Sequence, residues 1–273
     1  MKKIPVYLLA LLILASCVKQ ADWTIPPTTT DLIAVDGIMT NERGSQSITI
    51  NHPVNQLNGT AVPVTGAIVN VLTSDSIWTL TENPSGSGIY RTSSTFIALL
   101  DKTYTLNIFL GSKVYSAKAA MTAGAVFPPL IYAKNDNDSL YHIEYVASAF
   151  SSSQPAMWEI LANWTRVPGY EHADTNKCKA RLLFYTLPTL DESEIFAPVV
   201  ESVSFPAGTQ ITERRYSLAP QHAEFIREML LETSWQGGLF PTAAANVSTN
   251  LSPGAVGFFG VCAVDKLSLI VVK

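Results

Sequence analysis

Charged side chains are scarce in this sequence, and no part of it is strongly basic. Asp, Glu, Lys and Arg make up 15% of the 273 residues, the formal net charge is −4, and no basic cluster is longer than Arg214-Arg215. Proteins that bind nucleic acids neutralise phosphates with a patch of Lys and Arg. We therefore expect no nucleic-acid partner, and a surface built largely from Ser, Thr and Asn, as suits β-sheets outside the cell.

Catalytic and metal-binding patterns are also missing. The sequence has no His-Glu-x-x-His, Cys-x-x-Cys or Gly-x-Ser-x-Gly motif, and its four histidines are scattered. His172, beside Glu171 and Asp174, is the one local cluster of histidine and carboxylates, and we interpret it as a solvated loop. We accordingly predict no enzyme, no catalytic residue, no metal site and no cofactor.

The N-terminus has the layout of a secretory signal peptide. Lys2 and Lys3 precede an apolar run from Val6 to Ala15, which is too short for the roughly 20 apolar residues of a membrane-spanning helix. Leu14-Ala15-Ser16-Cys17 resembles the lipobox of bacterial lipoproteins. This resemblance implies a diacylglyceryl group on the Cys17 thiol, cleavage after residue 16 and, usually, palmitate or a similar acyl chain on the new amino group. Two or three acyl chains form a stable anchor. An ordinary cleaved signal peptide is the alternative.

Residues 17–30 are predicted to be the lipidated cysteine and a tether. Pro26-Pro27-Thr28-Thr29-Thr30 favours a stiff, extended chain. Val18 is not the aspartate that retains many lipoproteins at the inner membrane, so the outer membrane is the expected location, on either its periplasmic face or the cell surface. In such an oxidising compartment Cys178 and Cys262 either form a disulfide or stay as two separately buried thiols.

Residues 31–125 are predicted to form a β-sandwich domain. About seven short alternating segments occur there, and in Thr103 to Leu110 the residues Tyr104, Leu106 and Ile108 share one face. Gly111-Ser112 has the two-residue spacing of a tight hairpin. This density of strands is typical of an immunoglobulin-like or transthyretin-like sandwich.

Residues 126–273 are predicted to form a β-rich α+β domain with one clear helix near 218–234. Phe127-Pro128-Pro129 marks the boundary, because the short alternating segments before it give way to longer strand candidates after it. Ser217 is a candidate N-cap, Pro220 would lie in the first turn, and Gln236-Gly237-Gly238 would end the helix. The fold class is therefore mainly β.

Three aromatic residues form a candidate ligand surface in this second part. Trp158, Trp164 and Tyr170 lie close together in the sequence, and the two tryptophans have the same strand parity. Flat side chains of this kind stack on sugars or on protein partners. Packing in the core is the alternative interpretation.

Several stretches together are similar to one known family. They are Val35-Asp36-Gly37-Ile38-Met39-Thr40-Asn41-Glu42, Pro63-Val64-Thr65-Gly66-Ala67-Ile68-Val69, Thr103-Tyr104-Thr105-Leu106-Asn107-Ile108, Gly238-Leu239-Phe240, Ala245-Asn246-Val247 and Gly257-Phe258-Phe259. In order and spacing they resemble the domain of unknown function 4249 family of Gram-negative outer-membrane lipoproteins. The resemblance implies an N-terminal sandwich, a mixed β-rich C-terminal domain, and genes beside TonB-dependent receptors, but no activity.

These observations favour one function over two others. The expected role is that of a lipid-anchored binding or accessory protein beside a TonB-dependent outer-membrane receptor in nutrient uptake. The expected partners are the membrane and that receptor. The alternatives are a structural or adhesive cell-surface protein and an extracytoplasmic hydrolase.

Overall fold

The computed structural model of the chain describes residues 32–54, 59–189, 203–233 and 247–273. Fifteen strands and one helix lie in these residues, and the expectation of a mainly β chain with one helix is confirmed. The predicted signal peptide 1–16, Cys17, the tether up to residue 30 and the glycine cap Gln236-Gly237-Gly238 lie outside the described residues.

The first eight strands precede residue 121. They are β1 Ile33–Thr40, β2 Ser47–His52, β3 Val62–Pro63, β4 Ile68–Leu72, β5 Ile77–Glu82, β6 Ile89–Arg91, β7 Thr103–Leu110 and β8 Lys113–Ala120. The others are β9 Ile131–Lys134, β10 Tyr141–Tyr145, β11 Ala156–Asn163, β12 Lys179–Thr186, β13 Gln210–Ser217, β14 Ala255–Cys262 and β15 Val264–Ile270. The helix, α1, spans Pro220–Thr233 between β13 and β14.

The first sheet has nine strands around one core. Its order is β14-β1-β2-β6-β5-β4-β7-β8, with β3 paired to β2. Alternation builds the core, because in β7 the side chains of Tyr104, Leu106 and Ile108 are buried while Thr103 and Phe109 are exposed. The period-2 pattern of this strand was therefore predicted correctly from the sequence.

The first sheet takes one edge strand from the far end of the chain. β14 runs parallel to β1, from the pair Ile33 and Ala255 to the pair Thr40 and Cys262. Gly257 makes the close approach possible: its φ is 95°, and a Cβ there would lie 2.1 Å from the carbonyl oxygen of Val35. A side chain at position 257 would therefore force the two strands apart.

The second sheet is antiparallel, with the order β12-β11-β13-β15. One face covers a core that includes Trp158, Ile160 and Ile211, and the hairpin of β9 and β10 contributes Tyr141 to the same cluster. Helix α1 packs on a third cluster through Ala223, Ile226 and Leu230, beside Cys262 and Val264 of the β14–β15 corner.

The C-terminal part of the chain is thus tied into both sheets. Leu32–Lys273 form one compact unit, and within it β14 belongs to the sheet built mainly by residues 31–125. The division into domains at residues 31–125 and 126–273 stays a prediction.

One sequence-derived boundary is wrong. Ser217 is the last residue of β13 rather than the N-cap of α1, which begins three residues later at Pro220. The Ser217 hydroxyl accepts a hydrogen bond from Arg215 Nη1 at 2.6 Å, and its backbone N–H donates to Ala263 O. The serine is therefore used by the sheet.

Candidate functional site

A groove runs between strand β8 and the first turns of helix α1. It consists of two adjoining cavities of about 610 Å³ and 450 Å³. Lys118, Gln221, Asn250 and Phe258 line both of them. Their volumes lie within the ~300–1,000 Å³ of typical small-ligand sites. We therefore treat the groove as the candidate binding site.

The two cavities differ in chemistry. The larger is lined by hydroxyl and amide groups, namely those of Ser116, Gln221, Ser248, Thr249, Asn250 and Ser252. The smaller has a mostly apolar wall that includes Ala119, Ala120, Met121, Pro220 and Val261. The groove can thus accept hydrogen-bonding groups at one end and an apolar group at the other.

Asn250 fixes the floor of the groove. Its Nδ2 donates to the carbonyl oxygens of Lys118 at 3.1 Å and Phe259 at 2.8 Å, and its Oδ1 accepts from Phe259 N at 3.1 Å. Ser252 N donates to Ser116 O at 2.8 Å, and Ser116 N donates to the Ser252 hydroxyl at 2.9 Å. Residues 249–252 therefore bridge β8 and β14 and close the first sheet around its core.

The two walls of the larger cavity, β8 and α1, carry side chains of opposite charge. Lys118 lies exposed on β8, and Glu224 lies on α1, where its Oε1 accepts a hydrogen bond from Arg227 Nη1 at 3.0 Å. The side chain of Glu224 is 45% exposed. The larger cavity is therefore lined by one cationic and one anionic side chain.

A buried histidine lies beneath the smaller cavity. His222 is 4% exposed, its ring stacks on Phe258 at 4.6 Å, and its Nδ1 lies 3.7 Å from Cys262 Sγ. Burial lowers the pKa of His222 to about 4 and raises the pKa of Cys262 to about 12. At neutral pH the pair is an uncharged imidazole and a thiol, so Cys262 is not an activated nucleophile.

The position of the His222 ring requires a glycine at position 260. A Cβ at Gly260 would lie 2.5 Å from Cε1 of His222. The histidine ring therefore occupies the space that any side chain at position 260 would need, and it joins α1 to β14 at the base of the groove.

Of the two interpretations of Trp158, Trp164 and Tyr170, the structure has packing in the core. Trp158 and Trp164 are 5% and 7% exposed and belong to the second core cluster, against which Tyr170 packs partly buried. Trp158 donates from Nε1 to Thr186 Oγ1 at 3.0 Å and meets Phe127 edge to face. Shared strand parity placed the two tryptophans on one side of the sheet, but that side faces the core.

Cys178 and Cys262 are not joined. Both are buried free thiols: Cys178 belongs to the cluster under the second sheet, and Cys262 to the cluster under α1. Of the two alternatives, the structure therefore has two separately buried thiols and no disulfide between them.

The His172 segment is an exposed loop. Its neighbours' carboxylates make local bonds: Glu171 Oε2 accepts from Gly169 N, and Asp174 Oδ1 accepts from Asn176 N. In the described parts of the chain, no group of three or more His, Cys, Asp or Glu side chains is placed to hold a metal ion.

A charge network around the buried carboxylate of Glu159 joins the two sheets, and no sequence pattern indicated it. Glu159 of β11 accepts hydrogen bonds from Arg181 Nε, Arg214 Nη1 and Tyr216 Oη. Arg214 also pairs with Glu42, just beyond β1, and Glu42 pairs with Lys266. Burial alone would raise the pKa of Glu159, but its hydrogen bonds and the two arginines lower it below the ordinary value.

A second buried carboxylate has a different environment. Glu213 is 1% exposed, and its Oε2 accepts from Leu130 N at 3.0 Å, while Oε1 has no hydrogen-bond partner among the described residues. Burial raises the pKa of Glu213 to about 7. This carboxyl group therefore changes its charge near neutral pH.

Fold and groove together define a β-rich protein with a mixed polar and apolar ligand groove. Residues 19–268 match the family described as Domain of unknown function (DUF4249), and the chain belongs to that family. No curated protein matches the chain. Among the described residues, none of the helical structure has the length and apolar character needed to span a bilayer.

Proposed function

We propose that this protein is an outer-membrane lipoprotein, anchored through lipid on Cys17, that serves as a non-catalytic binding or accessory component beside a TonB-dependent receptor in nutrient uptake. The observation that carries the binding role is the groove between β8 and α1. It is large enough for a small ligand and offers hydrogen-bonding groups without an activated nucleophile at its base.

The scaffold around the groove favours binding over chemistry. Asn250 and the Ser116–Ser252 pair hold the floor through five hydrogen bonds, four of them involving a side chain. A rigid wall loses little conformational entropy when a ligand arrives. The same rigidity suits a protein that captures a ligand and passes it on unchanged.

The lipid anchor rests on the N-terminal pattern. Replacement of Cys17 by serine removes the only thiol in the lipobox-like sequence. We expect C17S to lose labelling by radioactive palmitate and to leave the membrane fraction, while C178S keeps both. Undiminished membrane retention of C17S would rule the anchor out.

The accessory role is tested by co-purification. The full tagged chain is extracted with a mild detergent and captured, with an unrelated outer-membrane lipoprotein carrying the same tag as control. Recovery of a TonB-dependent receptor in near-equal amount with this chain alone supports the role. Its absence after gentle extraction or chemical cross-linking contradicts it.

A structural or adhesive role is the second candidate, and an exposed apolar row favours it. Ile68, Phe109 and Val114 are directly paired neighbours across β4, β7 and β8, and they are 60%, 38% and 57% exposed. Exposed apolar patches mark protein contacts. If adhesion is the function, F109D abolishes attachment of cells to a surface while receptor recovery is unaffected.

A further inference from the structure

We infer that the groove binds a short peptide with free termini, its ammonium group toward Glu224, its carboxylate toward Lys118, and one apolar side chain in the smaller cavity. The inference rests on the proposed binding role and adds the class of ligand. Three features of the groove carry it: its charges, its apolar recess and the burial of its aromatic rings.

The charges of the larger cavity match a zwitterion. Among the described residues, Lys118 and Glu224 are the only ionisable side chains that line it, and they lie on different walls, β8 and α1. Glu224 pairs with Arg227 through Oε1 and is 45% exposed, so an ammonium group of a ligand would meet its Oε2. An anion alone would use only the lysine wall, and a cation alone only the glutamate wall. A ligand with one charge of each sign at its ends is complementary to both walls.

The neutral groups between these charges suit a peptide backbone. Ser116, Gln221 and Ser248 can donate to carbonyl oxygens, and their side-chain oxygens can accept from N–H groups. A cavity of about 610 Å³ has room for a ligand larger than a single amino acid. We therefore favour a peptide of a few residues over a free amino acid.

The smaller cavity provides a recess for a side chain. It continues from the larger one past Lys118, and the methyl and methylene groups of Ala120, Met121 and Val261 form part of its wall. Burial of an aliphatic side chain there is favourable, at about 25 cal/mol per Å² of apolar surface removed from water.

A sugar ligand fits the same groove poorly. A pyranose ring gains affinity by stacking on an exposed aromatic face, and the lining rings found among the described residues are those of His222 and Phe258. These rings stack on each other, and they are only 4% and 7% exposed. The described lining therefore offers no open aromatic face to a pyranose ring.

The test is calorimetric titration of the full chain in detergent with leucyl-alanyl-leucine. We expect binding that weakens about five- to tenfold when the peptide is N-acetylated, and by a similar factor when it is C-amidated, because each change removes one charge pair. Equal binding of free and doubly blocked peptide overturns the inference, as does absence of binding at millimolar peptide.

Variants assign the binding to the groove. K118Q should remove the preference for a free carboxylate, E224Q the preference for a free amine, and A120W should block the recess and abolish binding. Matched exposed controls are K179Q, E144Q and V114W, which lie away from the groove. Each variant is first checked for a wild-type melting curve. Unchanged affinity in all three groove variants overturns the inference.

Maltotriose serves as the competing ligand. If it binds and K118Q, E224Q and A120W alter that binding while the peptide stays inert, the groove is a sugar site and the inference is wrong. Because these titrations use the isolated protein, they succeed or fail independently of receptor co-purification. Loss of the receptor role would therefore be distinguishable from loss of peptide binding.

Discussion

At the scale of single residues, the buried carboxylate of Glu159 accepts hydrogen bonds from two arginines that differ in their exposure to solvent. This carboxylate is 6% exposed and is held by Arg214, which is 21% exposed, and by Arg181, which is 62% exposed. Removal of one partner from a buried ion pair leaves the other charge uncompensated, whereas exposed pairs contribute little. The buried carboxylate of Glu159 should therefore contribute much more to stability than the exposed Arg181.

We predict that E159Q lowers the free energy of unfolding by about 2–4 kcal/mol, because Arg214 loses a buried partner. R181Q, the matched control on the exposed side, should cost under about 1 kcal/mol. Urea unfolding at pH 7 measures both. Equal losses of unfolding free energy in E159Q and R181Q would show that burial of the Glu159 carboxylate does not determine how much its ion pairs stabilise the fold.

Glu213 gives a pH dependence of opposite sign to that of ordinary carboxylates. Because burial raises its pKa to about 7 from the ordinary value of 4.5, the folded state binds the proton more tightly than the unfolded state. Its contribution to stability is therefore complete below pH 4.5 and is lost as the pH rises to about 7.

We predict that E213Q removes this loss. The change in unfolding free energy between pH 5 and pH 8 should shrink by about 2–3 kcal/mol relative to the wild type. E144Q, at an exposed position of β10, is the matched control and should keep the wild-type profile. Parallel profiles for the wild type and E213Q would contradict the assignment.

At the scale of elements, local sequence signals predicted the β7–β8 hairpin closely. The alternation of Thr103 to Leu110 reproduces β7, and Gly111, at φ 58°, forms the tight turn into β8 because it accepts the left-handed conformation. These signals succeed because a hairpin is determined by residues that are neighbours in sequence.

Elements held by distant partners were predicted less well. Ser217 looked like a helix cap, but its backbone N–H pairs with Ala263, and Arg215 uses its hydroxyl. The shared parity of Trp158 and Trp164 left a ligand surface and core packing both open, and the β9–β10 hairpin and Phe127 cover that face. A period of two identifies a face of a strand but cannot say what covers it.

The groove itself had no signal in the sequence. Its lining comes from β8, α1, residues 248–252 and β14, which are brought together only when residues 249–252 bridge two strands. Asn250 is the residue whose side chain makes that bridge, so its replacement should affect the closure of the sheet.

We predict that N250A destabilises the fold by about 2–3 kcal/mol, because it removes three hydrogen bonds and leaves backbone groups of Lys118 and Phe259 without them. Hydrogen exchange of the Phe259 amide should accelerate more than that of the β4–β5 amides. N107A, on the outward face of β7, is the control. Unchanged protection at Phe259 would mean that Asn250 does not hold the closure.

At the scale of the whole molecule, the parallel pairing of β1 with β14 joins the C-terminal part of the chain to the first sheet. More than two hundred residues separate the partners Ile33 and Ala255 in sequence. No local pattern indicates such a pair, which is why the sequence division near residue 125 assigns β14 to the other part. Phe259 and Val261 of β14 are buried in the core of the first sheet.

This topology predicts that residues 32–125 do not fold alone. Without β14 the fragment exposes the edge of β1 and loses the apolar side chains of Ala255, Phe259 and Val261 from its core. Each buried large side chain is worth roughly 2–5 kcal/mol, against a total stability of about 5–15 kcal/mol. We expect dispersed amide signals and a single cooperative urea transition from residues 32–273, and neither from residues 32–125.

Adding β14 back, by linking residues 247–262 to the fragment through a glycine-rich linker, should restore dispersion. A fragment 32–125 that unfolds cooperatively on its own would instead establish the first sheet as an independent domain.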